Sequence, residues 1–293
     1  MHGLMRAIGF KHISTKKALK EVLDMVVETA TEQKLVSVSS EGENIVEFRK
    51  YIGENIGITV HGYYNEENEF IREYYFPFID SSISEKFDVT LNRHISRTSF
   101  AGICDDSRIG VSIIFYLQNG IDFINHLLDK KHSVIHAPLS LVGLSDSGTV
   151  LLPVNKSAKQ IYKSKVASRN RMNLIVAAKQ GDEKAIENLT IEDLDLYSQI
   201  SKRIRKEDVF TIVDNTFMPY GVECDHYMIM GEILDIKEIR NEISNEKIYC
   251  LLLDCNDIKI NVGINEEDLM GEPMIGRRFK GSIWLQGIVD FGH

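Results

Sequence analysis

The sequence predicts an α+β chain in three parts. These are an N-terminal, mostly antiparallel α+β domain over residues 1–154, a helical connector over 155–221, and a small all-β, barrel-like C-terminal domain over 222–293. Three observations carry this. Apolar residues recur mostly at period two before residue 154, at helical period after it, and at period two again from Tyr227. The 293 residues give room for about two domains. The composition, 43% apolar and 26% charged, is that of an ordinary globular protein, which excludes disordered, collagen-like and coiled-coil chains.

Thr15 reads as an N-cap, and Leu19, Val22, Leu23, Val26, Val27 and Ala30 follow at helical spacing. Strand-like runs come next at 35–39, 45–51, 56–64 and 70–78, the last two joined as a hairpin through the polar break 65–68. In the second arm Phe70, Tyr74, Phe76 and Phe78 share a face interrupted by Arg72, the pattern of a half-buried antiparallel sheet. Ile109, Val111, Ile113, Phe115 and Leu117 alternate as a strand, and a short helix over 121–129 follows Gly120. Residues 140–144 and 149–154 read as a hairpin turning through Ser145-Asp146-Ser147-Gly148.

The connector begins with a helix over 156–178, basic at its start. Thr190-Ile191-Glu192-Asp193 resembles a capping box that opens a second helix, and 207–214 makes a third, short one. Strands at 227–236, 248–255, 258–262 and 279–291 then suggest a small barrel, closed or partly open, with an OB-like arrangement as one form.

The net charge of −9 disfavours nucleic acid as a partner, because a bare polyphosphate is repelled on average. The charge is uneven: −5 over 1–154, +3 over 155–220 and −7 over 221–293. No run is long and apolar enough for a transmembrane helix, so no membrane is expected as partner. The N-terminus shows no export pattern, and Cys104, Cys224, Cys250 and Cys255 have no Cys-x-x-Cys spacing. A cytoplasmic protein with free thiols is the expectation.

The candidate partner surface lies in 276–287. On one strand Arg278, Lys280, Ser282, Trp284 and Gln286 face one way, placing the only Trp among polar and basic neighbours. Trp284 is then either a platform that grips a partner or a plug that seals the barrel against the N-terminal domain. Gly281 and Gly287 read as bends or bulges at a barrel corner. Lys156, Lys159, Lys163, Lys165, Arg169 and Arg171 form a basic run that either tracks phosphates or is a solvated helix start. Cys224 and His226 are two residues apart, as a nucleophile and its base could be, or are unrelated surface groups. His126, His132 and His136 cluster without the Glu and third ligand of a zinc site, so no metal is expected.

Phosphate-binding loops, dinucleotide fingerprints and nucleophile elbows are absent from the sequence. No catalytic residue, cofactor or small-molecule ligand is assigned, and the sequence leaves open whether the chain is an enzyme. The favoured expectation is a non-catalytic cytosolic protein that binds a protein or peptide through Trp284, Arg278, Lys280 and Gln286. The alternatives are a thiol-dependent hydrolase using Cys224 and His226, and a nucleic-acid binder using residues 156–171.

Three stretches carry a resemblance. They are the opening Met1-His2-Gly3-Leu4-Met5-Arg6-Ala7-Ile8-Gly9-Phe10; Asp208-Val209-Phe210-Thr211-Ile212-Val213-Asp214 through Met218-Pro219-Tyr220-Gly221; and 276–287. Through them the chain resembles, over nearly its whole length, a clostridial family catalogued only as a domain of unknown function. The resemblance implies an intracellular protein of a Gram-positive bacterium with no assigned activity, and it carries over no catalytic residue.

Overall fold

A computed structural model describes residues 2–13, 15–37, 44–93, 99–106, 111–130, 134–154, 166–167, 170–171, 173–178, 180–205 and 209–292. The class is α+β, as the sequence predicts, and among the described residues the strands form two sheets.

The chain opens with a 3-10 helix, His2–Ile8, whose Met5, Ala7 and Ile8 are fully buried. Arg6 clamps this segment to Asp268, and Gly9 turns it with a positive φ of 91°. The Asn241 amide donates to the Ile8 carbonyl at 2.8 Å. α1 (Lys16–Glu28) starts where the sequence places it, with the Thr15 hydroxyl accepting from the Ala18 amide at 3.1 Å. Its Leu23 and Val26 are buried, and the helix lies against the second and third strands.

β1 (Glu32–Ser37), β2 (Asn44–Gly53), β3 (Ile56–Tyr64) and β4 (Phe70–Ile79) form a four-stranded antiparallel meander. The half-buried sheet expected from the sequence is in fact covered on both faces at its centre: β3 is buried without a break over 56–62. The expected single aromatic face is split. A register shift between His61 and Gly62 leaves Tyr74, Phe76 and Phe78 on one face and turns Phe70 and Arg72 to the other, where Phe70 packs on Phe48 and Arg72 reaches Asp24 of α1 at 3.1 Å.

Among the described residues the larger sheet has ten strands: β5 (Glu85–Arg93), β6 (Phe100–Asp106), β7 (Val111–Leu117), β8 (Val134–Leu151), β9 (Thr216–Pro219), β10 (His226–Arg240), β11 (Lys247–Cys255), β12 (Ile258–Asn265), β13 (Leu269–Met270) and β14 (Arg278–Val289). α2 (Gly120–Lys130) joins β7 to β8; α3 (Glu183–Ile204) and the one-turn α4 (Val209–Ile212) precede β9. The pairings close twice. β10, β11, β12, β8 and β14 make one ring of strands, and β8, β5, β6, β7 and β14 make another that shares the β8–β14 pair.

This ring is where sequence and structure part. The four C-terminal strands form where expected, but in the order β12-β11-β10-β14 they leave two bare edges. Unpaired edges expose backbone donors and acceptors, and β8 covers both. A strand from within 1–154 therefore closes the ring expected of 222–293 alone.

β8 itself corrects the expected hairpin at 145–148. Those residues continue one 18-residue strand, with Ser147 opposite Ser282 and Gly148 opposite Gly281. Gly148 is there for space: a Cβ on it would come within 2.3 Å of the Phe279 ring. Gly281 and Gly287 likewise make room for the Phe279 and Phe115 rings, and the β14 register shift falls at 282–284.

The second connector helix also starts elsewhere. Asp182 caps α3, its carboxylate accepting from the Lys184 and Ala185 amides at 2.9 and 3.2 Å. Thr190 sits inside the helix, bonding back to the Ile186 carbonyl at 2.9 Å.

Candidate functional site

The two sheets meet along a polar seam. Alternation on β2 and β3 puts Glu47, Arg49, Thr59 and His61 on one face, since Glu47 pairs with His61 and Arg49 with Thr59 across the ladder. β4 adds Tyr74 and Phe76 opposite His61 and Thr59. From the large sheet, Tyr116 and Gln118 of the β7 end and Trp284 and Gln286 of β14 face them. The Phe76 and Tyr116 rings are 4.8 Å apart, and those of Tyr116 and Trp284 are 5.1 Å apart.

Two amides stitch the sheets. Gln118 donates to Gln286 at 2.8 Å and to the Ile79 carbonyl at 3.0 Å, while Gln286 donates to the Pro77 carbonyl at 2.9 Å. Deeper in, His61 Nε2 and Glu47 Oε2 lie 2.8 Å apart, with both side chains 2–3% exposed. Burial pushes the Glu47 carboxyl up. The His61 hydrogen bond and charge, with Lys34 and Arg49, override this and hold it below its ordinary value. Arg49 Nε, Thr59 Oγ1, His61 Nδ1 and Gln118 Oε1 are buried with no hydrogen-bond partner among the described residues.

At the seam's end the turn 221–226 brings Glu223, Asp225 and His226 together, with Gly221 supplying a positive φ of 80°. His226 Nδ1 is 3.0 Å from Glu223 and 3.1 Å from Asp225. Trp284 Nε1 donates to the other Asp225 oxygen at 2.7 Å. The three donor groups lie within 4.8 Å of one another, a spacing a cation could use; as found, they satisfy one another. The Asp225 hydrogen bond raises the His226 pKa against the opposing effect of burial. Burial pushes Asp225 up, but hydrogen bonds from His226 and Trp284 bring it below 3.8.

The signs set a pH window. A raised His contributes stability below its unfolded value, and that contribution is lost as pH climbs through the folded value. A lowered Asp contributes above its unfolded value and loses it in acid. Replacing His226 by Gln is therefore expected to destabilise most between pH 3.8 and 6.5, with the gap to wild type narrowing above pH 6.5. Urea melts across pH test this, and a gap that widens toward pH 9 contradicts it.

The sequence-predicted partner residues share one strand face as read, but this chain covers that face. Trp284 is 3% exposed and Gln286 fully buried under the small sheet. Arg278, 7% exposed, donates to the Leu152, Val213 and Phe210 carbonyls at 2.8–3.1 Å. The Lys280 ammonium sits 4.6 Å from the Phe210 ring centre. The expected platform is thus taken up by the small sheet and the segment around α4. Trp284 takes its other reading, the plug between two bodies of structure.

Cys224 is exposed beside His226, whose Nδ1 is turned to carboxylates. Cys104, Cys250 and Cys255 are buried, and burial pushes Cys250 up to about 12. His126 is buried against Phe291, while His136 pairs with Asp88 at 2.6 Å; His132 lies outside the described residues. Lys156, Lys159, Lys163, Lys165 and Arg169 of the basic run also lie outside them, and Arg171 is paired to Asp193 at 2.7 Å.

The surface that sequence reasoning passed over is on α3. Ile186, Ile191, Leu194 and Tyr197 are 48%, 51%, 64% and 73% exposed, whereas Ala185 on the opposite side is buried. Their signal is in the sequence, where Leu194 and Tyr197 follow one another at helical spacing.

Compared with known proteins, residues 5–287 match one family model, DUF3881, a domain of unknown function named from an E. rectale gene. No curated protein and no solved structure matches the chain.

Proposed function

We propose, for a chain that belongs to the DUF3881 family and inherits no activity from it, a non-catalytic cytosolic role in which it binds a protein partner. The observation that supports this is the exposed apolar arc of α3. Soluble chains rarely leave several large apolar side chains exposed together on one helix without a use for them. The binding surface is moved from the β14 face, which the chain itself covers, to Ile186, Ile191, Leu194 and Tyr197. The cytosol suits four free cysteines, one of them exposed.

Cross-linking in cells, followed by affinity capture of wild type, Tyr197→Glu and Lys280→Ala, tests the reading. A partner lost with Tyr197→Glu and kept with Lys280→Ala is the expected result. Equal recovery with all three forms rules it out.

A further inference from the structure

We propose that the partner of α3 is a second copy of this chain, the two helices pairing antiparallel about Leu194. The proposal rests on the partner-binding reading and names its occupant.

The helix has 22 residues, a length of about 33 Å. Placed at about 100° per residue with Leu194 at the centre, Glu183, Glu187, Ser201 and Arg205 all fall within about 20° of it. Ile191 and Tyr197 flank the centre at about 60° on either side. Thr190 and Ser198 lie about 40° on either side of Leu194, so the face that runs the length of the helix is a mixed one, with Leu194, Ile191 and Tyr197 as its apolar groups and charges at its ends.

The end charges select the occupant and its direction. From Glu183 to Asp195 the helix carries Glu183, Glu187, Glu192, Asp193 and Asp195 against the single base Lys184. From 196 to its end the helix carries Lys202 and Arg203, with Arg205 just past its last residue, and no acid. A parallel copy would set acid on acid. An antiparallel copy centred on Leu194 sets Glu183 level with Arg205 at both ends, and Ile191 level with Tyr197. Near the two-fold axis, where like charges would meet, Arg171 already pairs in cis with Asp193 at 2.7 Å and Glu192 at 3.8 Å. The same patch serves on both copies, as a closed two-fold interface requires. The apolar centre supplies the attraction; the exposed end pairs add little affinity and choose the orientation.

Sedimentation of the full chain from about 1 to about 200 µM tests this, a range that brackets micromolar association. Wild type is expected to dimerise with concentration. Leu194→Glu should weaken the dimer at least about tenfold, and Glu183→Arg or Arg205→Glu each by about threefold, while the double exchange Glu183→Arg/Arg205→Glu should recover wild-type association. All three positions are exposed, and unchanged circular dichroism confirms that the variants fold. A wild type monomeric throughout, a dimer indifferent to Leu194→Glu, or a double exchange that fails to recover overturns the pairing. If wild type is monomeric but Tyr197→Glu still abolishes capture of a different protein, self-pairing falls and the partner-binding reading stands. If neither is seen, both fall.

Discussion

Trp284→Ala is expected to destabilise the protein by about 3–5 kcal/mol, the range for deleting a large buried aromatic. Trp284 is 3% exposed, its ring centre is 5.1 Å from that of Tyr116, and its Nε1 donates to Asp225 at 2.7 Å. The substitution opens a cavity between the two sheets and strips the Asp225 carboxylate of a buried donor. Trp284→Phe retains most of the volume and loses the hydrogen bond, so about 1–3 kcal/mol is expected. Urea unfolding followed by circular dichroism measures both. As the only Trp in the chain, it also reports directly on its surroundings: native emission should be blue-shifted and resistant to acrylamide. A Trp284→Ala variant as stable as wild type, with quenchable native emission, would return this side chain to the surface and reopen it as a partner platform.

His61→Ala is expected to cost about 3–5 kcal/mol for a different reason. It leaves the Glu47 carboxylate, 3% exposed, without the imidazole that is 2.8 Å away. Removing both members as Glu47→Leu/His61→Leu takes away the buried charge along with its partner and should recover most of the loss. The two outcomes together distinguish a stranded charge from a simple cavity, because a cavity cost would grow with the second substitution. Glu47 also imposes a pH dependence. Its folded value is below 4.5, so its contribution is present above pH 4.5 and is lost as pH falls through the folded value. Wild type should therefore lose stability below pH 4.5 more steeply than the double variant, as read from urea melts at a series of acid pH values.

Much of the fold can be read from local pattern. Thr15 and the apolar stripe behind it specify α1, and the small sheet and all four long C-terminal strands follow from alternation and turn residues. β5 carried the same signal: Phe87, Val89 and Leu91 alternate with polar residues and are buried. The failure at 145–148 has a definite cause. Ser-Asp-Ser-Gly is turn chemistry locally, yet Ser145 donates to the Ser282 carbonyl at 2.8 Å and Gly148 accommodates the Phe279 ring. A partner about 130 residues away in the chain overrode the local preference.

The candidate sites were legible only in part. Trp284 and Gln286 were placed on the same strand face, which is local geometry. Whether that face met solvent was decided by β4, which brings Phe76 and the Pro77 carbonyl over it. The Glu47–His61 pair was hidden because polar residues at every second position of a strand read as a solvent face. Here that face is turned to another sheet.

Sequence alone determined the α+β class, the order of most elements and their two-faced strands, because period and turn chemistry act within a few residues. The tertiary structure decided which faces are covered and which edges are closed. β8 lies between β12 and β14 because both offered unpaired backbone, and the four predicted partner residues were taken up by the small sheet and the segment around α4. Burial and edge pairing depend on what arrives from elsewhere in the chain, and local pattern does not encode that.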